Sequence, residues 1–278
     1  MKDMSVPIGN SDFRSIREEG YYYIDKTGLI EQLLYTEGTK ATLITRPRRF
    51  GKSLGMSMLA HFFDIREDSK RLFEGLKISE NQELCEKWQN QYPVLFMSLK
   101  RVEALNFEEA YDLLVSVIAE VYKSHIYLME SEKIHSLDKE FFYKIASGKG
   151  SLADIKGSLF KLIQILAQHY GKPVIFILDE YDVPAAKADE NGYYRQMIDT
   201  IRNITGAALK DNQFLKFAVM TGCLKIAKES IFTGINNLTT DTISDNRYNE
   251  YFGFTGEETE KLLKDAGLED RLELVRQW

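Results

Sequence analysis

ATLITRPRRFGKS, residues 41–53, changes character twice within thirteen positions. Residues 41–45 are apolar and partly β-branched, which suits a short buried strand. Arg46 to Gly51 cannot prolong that strand. Pro47 lacks an amide donor, and Gly51 tolerates backbone angles that other residues avoid. Beyond the loop, Leu54, Met58, Leu59, Phe62 and Phe63 recur at helical spacing. Gly51-Lys52-Ser53 therefore stands at a strand-to-helix junction, where amide N–H groups and the positive end of a helix face the same point. That geometry suits an anion, and the residue types suit a polyphosphate; a basic turn before an amphipathic helix is the other reading. Gly51 would let the backbone approach, Lys52 would reach the terminal phosphate oxygens, and the Ser53 hydroxyl would ligate Mg²⁺. The general pattern G-x-x-x-x-G-K-[ST] is incomplete, because Arg46 stands where it asks for glycine.

A second stretch completes the first. Pro173 opens VIFILDEYD, in which Val174 to Leu178 are continuously apolar and Asp179 and Glu180 follow. An unbroken apolar run suits a central strand of a parallel sheet, buried on both faces. Carboxylates at its C-terminal end lie where open α/β sheets bind ligands. Asp179 is placed to hold Mg²⁺ and Glu180 to orient and deprotonate a water. A kinase would need a site for an acceptor hydroxyl; Glu180 beside the metal carboxylate favours water as the nucleophile.

Composition sets the outer bounds. A chain of 278 residues, 44% hydrophobic, suffices for one large domain or one domain with an appendage. The net charge of −6 offers no global basic field for nucleic acid. Cys85 and Cys223 are far apart and lack C-x-x-C spacing, which argues against a zinc site or a disulfide framework; Cys223, among apolar residues, reads as a small core filler. Residues 1–10 do not resemble a leader, and no apolar run has the length of a membrane span. A cytoplasmic location is the expectation.

The remaining pattern alternates helices and strands. Short helices are expected at 12–19 and 26–35, the latter capped by Asp25 and closed by Gly38, with an extended segment at 21–24 between them. A charged connection covers 66–71. Strands are expected at 94–99, 215–222 and 237–244, and helices at 107–129, 141–146, 152–170 and 193–209, with a final helix opening at Thr255. Alternation of this kind implies a parallel sheet with helices on both sides. The division that follows is 1–40 as an N-terminal segment packed on the core, 41–247 as the core with a helical elaboration near 105–170, and 248–278 as the start of a lid. Residues 271–278 are amphipathic without a C-cap, so the chain reads as the N-terminal part of something longer.

TRPRRFGKS (45–53), YYYIDKTGLI (21–30), FILDEYD (176–182), MTG (220–222), KESIFTGINNL (228–238) and FGFTGEE (252–258) together resemble the bacterial AAA-ATPase-like proteins. These are P-loop ATPases of the ASCE division, related to STAND-type and origin-recognition-type ATPases. The likeness covers about residues 5–278, and arginine at position 46 is usual in that family. It implies an α/β, P-loop NTPase three-layer sandwich with a central mainly parallel sheet, a helical insertion and the start of a C-terminal helical lid. It implies ATP or ADP and Mg²⁺ as ligands, with Arg48, Arg49, Phe50, Gly51, Lys52, Ser53 and Leu54 around the nucleotide, Ser53 and Asp179 on the metal, and Glu180, Lys52 and Thr221 in catalysis. Thr221 matches the sensor-1 place, where a polar side chain touches the γ-phosphate or the water; a plain Thr-Gly turn is the other reading. Arg48 and Arg49 either cover phosphates, contact a neighbour, or are solvated charge. Asp25 either lies near the base or caps a helix. Residues 228–238 suggest a coupling loop.

Three functions remain open at this level. The first is ATP hydrolysis driving a conformational switch, with an arginine finger from a second subunit of a homo-oligomer; Arg202 and Arg247 are candidates. The second is a nucleotide-storing regulatory module with negligible hydrolysis. The third is a gate for a C-terminal PD-(D/E)XK nuclease-like domain that acts on DNA. That domain has no counterpart here: Asp154-Ile155-Lys156 has D-x-K spacing but a helical setting.

Overall fold

A computed structural model describes residues 5–35, 40–223 and 238–276. Its strands are β1 (Ala41–Thr45), β2 (Val94–Ser98), β3 (Val174–Asp179), β4 (Leu215–Gly222) and β5 (Leu238–Asp241). They form one sheet in the order β2-β3-β4-β1-β5, and every pairing is parallel. β4 is thus wedged between the strand that feeds the loop and the strand that carries the acidic pair. The register sets Ile44 beside Thr221, Thr45 beside Gly222, Leu178 beside Met220 and Ser98 beside Asp179.

The helices are α1 (Phe13–Glu18), α2 (Gly28–Leu34), α3 (Lys52–Phe63), α4 (Lys70–Phe73), α5 (Gln82–Trp88), α6 (Phe107–Lys123), α7 (Ser136–Ala146), α8 (Leu152–Tyr170), α9 (Val183–Glu190), α10 (Tyr194–Leu209), α11 (Gly256–Asp265) and α12 (Leu272–Arg276). Strand alternation sorts the core into two layers. Leu43, Leu95, Phe176, Leu178 and Met220 bury with the apolar stripes of α6, α8 and α10. Ile44, Ile175, Ile177 and Val219 face the other way, onto Met58, Leu59, Phe62 and Phe63 of α3 and onto Phe13 and Leu29. All six residues of β3 are buried, which is why its sequence carries no alternation. The result is the expected helix–sheet–helix sandwich. Among the described residues no helix is long and apolar enough to cross a membrane.

Several boundaries differ from the sequence-based expectation. The helix expected over 107–129 stops at Lys123, and Ile126–Glu130 forms a 3₁₀ turn. His125 is buried at the break, with Nδ1 3.3 Å from Nη1 of Arg66 and 3.3 Å from the Tyr127 hydroxyl. Burial, then the Arg66 charge, lowers its pKa to about 3, so it stays neutral there. The second helix begins at Gly28, because Asp25 folds into an Asx turn on Thr27 N–H and hydroxyl and also accepts from Lys77 N–H. Asp25 is therefore a tie between segments. Residues 21–24 lie outside any helix or strand, the connection at 66–71 runs into α4, and α5 and α9 fall where the sequence pattern predicts no helix. Asp154 belongs to the capping box that starts α8, as its helical setting implied. Gly38 and residues 228–237 lie outside the described residues.

Candidate functional site

Parallel pairing brings the C-terminal ends of all five strands to one edge of the sheet. The residues that follow β1, β3 and β5, with Cys223 after β4, leave from that edge, so the two motifs share it although β4 separates their strands.

The loop after β1 is wound by two left-handed residues, Arg49 (φ 70°) and Gly51 (φ 76°). A Cβ on Gly51 would meet nothing within 4 Å, so the glycine answers to backbone angle and not to crowding. Lys52 opens α3 and is 6% exposed. Its Nζ donates to the carbonyls of Arg46 (3.0 Å) and Pro47 (2.9 Å) and lies 3.2 Å from Cys223 Sγ. The ammonium thus rests on oxygen atoms of its own loop, the chemistry that phosphate oxygens would offer. Ser53 and Leu54 follow in the first turn, half-buried; Arg48 and Arg49 are exposed. Phe50 is half-buried: its carbonyl accepts from Gly253 N–H at 3.0 Å, and its ring would lie 3.0 Å from a Cβ at Gly253. Cys223 is not a core filler. It is half-buried at the end of β4 and faces Lys52, because the apolar run that precedes it ends at the sheet edge.

The acidic pair sits two strands away. Asp179 closes β3 and is 2% exposed; Thr221 donates its hydroxyl to Asp179 Oδ1 at 2.6 Å. The next residue, Glu180, is left-handed (φ 53°), a conformation that costs a non-glycine residue about 1 kcal/mol and occurs often at functional sites. It is half-buried. Burial, then the Asp179 charge, pushes its carboxyl above the ordinary range, and Lys52 and Lys100 oppose the shift. Cys223 joins the loop to the turn that follows the acidic pair: its Sγ lies 3.2 Å from Lys52 Nζ, and its N–H reaches Asp182 Oδ2 at 2.9 Å. The turn is pinned to β4: Tyr181 N–H donates to Thr221 O (3.0 Å) and Cys223 N–H to Asp182 Oδ2 (2.9 Å). A Cβ on Gly222 would lie 2.5 Å from both Asp182 Oδ1 and the Tyr181 ring, so this glycine is required by crowding. Thr221 is fully buried beside the carboxylate, within the site and at the head of that turn.

Arg46 carries the largest surprise. Its side chain is 1% exposed and points away from the loop. Nη2 donates to Asp241 Oδ2 (2.6 Å) and Asn249 Oδ1 (2.9 Å), Nη1 donates to the carbonyls of Thr45 (2.9 Å) and Asp241 (3.3 Å), and the guanidinium stands 5.7 Å from the Phe252 ring centroid. Burial pushes the Asp241 carboxyl up while Arg46 draws it down. The sequence marks Arg46 as a departure from the general loop pattern but signals no role for Asp241, Asp182 or Asn249. An Asp ending a Thr-rich strand is no signal by itself. Of the two finger candidates, Arg247 is exposed and acts electrostatically on Asp241 at this edge, whereas Arg202 lies on α10, 3.0 Å from Asp199.

No group of three or more His, Cys, Asp or Glu side chains is assembled for a metal among the described residues. A magnesium ion bound with a nucleotide needs fewer, since water and phosphate oxygens complete its shell. A buried carboxylate with one oxygen held by Thr221, and a serine in the first turn after the loop, fit that requirement.

A family model described as predicted AAA-ATPase matches residues 7–232, and the chain belongs to that family. It is 32% identical over 258 residues to an uncharacterised protein from the region 5′ of vnfD in Azotobacter chroococcum mcd 1. The match takes in 92% of this chain but 44% of that protein. No solved structure matches.

Proposed function

We propose that this member of the predicted AAA-ATPase family binds ATP together with Mg²⁺ and hydrolyses it to drive a conformational switch. The observation that carries the reading is the convergence, on one edge of a parallel sheet, of Lys52 in its glycine loop with a raised, half-buried Glu180 and a buried Asp179. The position of β4 between β1 and β3 supports the ASCE assignment.

On binding, phosphate oxygens replace the carbonyls of Arg46 and Pro47 around Lys52 Nζ, and the first-turn amides of α3 face the same charge. Ser53 and Asp179 would hold the magnesium ion, which supplies positive charge against the phosphate oxygens. Glu180 orients the attacking water and takes its proton; a raised carboxyl pKa brings the base closer to the operating pH. Thr221 holds Asp179 in place. Arg48, Arg49, Phe50 and Leu54 line the approach. An arginine from a second copy would complete the charge balance, and Arg247 lies at the right edge to serve a neighbour.

A second reading has one observation in its favour. The chain spans less than half the length of the relative it matches, so the nucleotide site can store a state that gates a C-terminal effector, including a nuclease-like domain acting on DNA. Phosphate release, measured with and without DNA for the native chain and for Glu180→Gln, separates the two. Release that disappears in Glu180→Gln while binding persists supports hydrolysis. Tight binding without release in the native chain supports the stored-state reading.

A further inference from the structure

We infer that Arg46 is a positioning residue for the nucleotide loop, and that through Asp241, Asn249 and Phe252 it makes the loop's geometry conditional on the segment 249–258. This rests on the nucleotide-binding reading and adds the regulation of that site.

The argument starts from the two ends of one residue. The Arg46 carbonyl is an oxygen on which Lys52 Nζ rests. Its side chain leaves in another direction and is enclosed by Asp241, Asn249 and Phe252. Glycine, the residue that the general loop pattern asks for, would decouple the two. Here a shift of Asn249 or Phe252 moves the guanidinium, and with it the carbonyl that holds Lys52.

The same segment touches the loop elsewhere. Gly253 N–H is bonded to Phe50 O, and Phe252 packs 3.5 Å from the position of a Cβ at Gly55, in the second turn of α3. The segment is in turn held from outside the site. Lys26 Nζ donates to Glu250 O and to both carboxylate oxygens of Glu258, each at 2.6 Å. The Tyr251 ring stands 2.8 Å from the position of a Cβ at Gly28, and Tyr22 donates to Asp265 Oδ2 at 2.8 Å. Contacts therefore run without a break from Lys26 and Glu258, through 249–253, to Arg46, Phe50 and Lys52. Whatever displaces α11 displaces the floor of the phosphate site.

The test uses the 278-residue chain with two substitutions outside the site. Lys26→Met keeps side-chain length and removes the ammonium. Glu258→Gln removes the charge but retains a capping-box residue for α11. Amide hydrogen exchange over 46–55 is expected to quicken by about tenfold in both, the range of coupled sites, with β2 and α8 unchanged. Mg·ADP affinity by calorimetry is expected to fall by a similar factor, and Mg·ADP is expected to slow exchange over 249–258 in the native chain. Arg46→Lys retains a positive charge for Asp241 but loses the fork that reaches Asn249; it should keep the fold and reproduce the quickened exchange. Unchanged exchange over 46–55 in both outer variants overturns the inference. So does protection by Mg·ADP that stops at 46–55 and leaves 249–258 unmoved. Quickened exchange over 46–55 in a chain that takes up no Mg·ADP upholds the coupling and removes the nucleotide reading instead.

Discussion

The two halves of the site are held in different ways. The acidic half is braced by the strand next to it: Thr221 on Asp179, Tyr181 on the Thr221 carbonyl, Cys223 on Asp182, with Gly222 leaving room for the turn. Its supports belong to β4, already bonded to β3 along its length. The loop half shares one backbone bond of that kind, Arg46 N–H to Gly222 O. Its other supports are Asp241, Asn249, Phe252 and Gly253. The acidic pair is thus held within the sheet, whereas the loop that carries Lys52 is held partly by strand ends, through Gly222 and Asp241, and partly by residues 249–253 that follow the last strand.

The largest effect that tests this contrast is on chemistry. Glu180→Gln is expected to lower phosphate release by about 10²–10⁴-fold, the usual contribution of a general base, with Mg·ATP affinity nearly unchanged. A comparable loss of affinity would mean that Glu180 supports the fold of the turn and not the water. Next comes the loop's anchor. Arg46→Met leaves Asp241 buried without its partner and is expected to cost about 3–5 kcal/mol in urea unfolding. Adding Asp241→Leu should recover most of that stability but not the nucleotide affinity; recovery of both would make the pair merely structural. On the sheet-braced side, Gly222→Ala forces the Tyr181–Asp182 turn outward and is expected to cost about 1–3 kcal/mol, with hydrolysis falling more than binding.

The smallest effect is in pH. The Glu180 carboxyl is raised in the folded chain, so the folded state binds more protons than the unfolded state between the ordinary and the raised value. Stability from this group therefore declines as pH rises through that window and stays lower above it. Glu180→Gln should be at least as resistant to urea at neutral pH as the native chain. The acid limb of the rate profile should lie above the range of an ordinary carboxylate. A limb at the ordinary value would remove burial as the cause of Glu180's reactivity.

Much of this was legible in the residues. The apolar strands at 41–45 and 174–178, the glycine–lysine junction and the paired acids mark two strand ends, and parallel alternation is enough to put strand ends on one edge. Thr255 marks a helix start because its cap is local. What could not be read depends on partners distant in the chain. His125 ends a helix that its own periodicity would continue, since Arg66 and Tyr127 enclose it. Cys223 has apolar neighbours in sequence but a charged one in space. Arg46 looks like one more basic residue of a basic loop until Asp241 and Asn249 arrive beside it.

The strand order also dictates a timetable. β1 and its loop are synthesised early, but their neighbour β4 begins only at Leu215, and the bonds that settle Arg46 and Phe50 wait for Asp241, Asn249 and Gly253. Pairings between such distant positions close slowly, because a long loop must be drawn in first. During translation the loop after β1 therefore lacks these supports until almost all of the described residues have left the ribosome. Fragments that end before Leu215 should retain helices α6 and α8 and take up no nucleotide, which separates the birth of the scaffold from the birth of its ligand site.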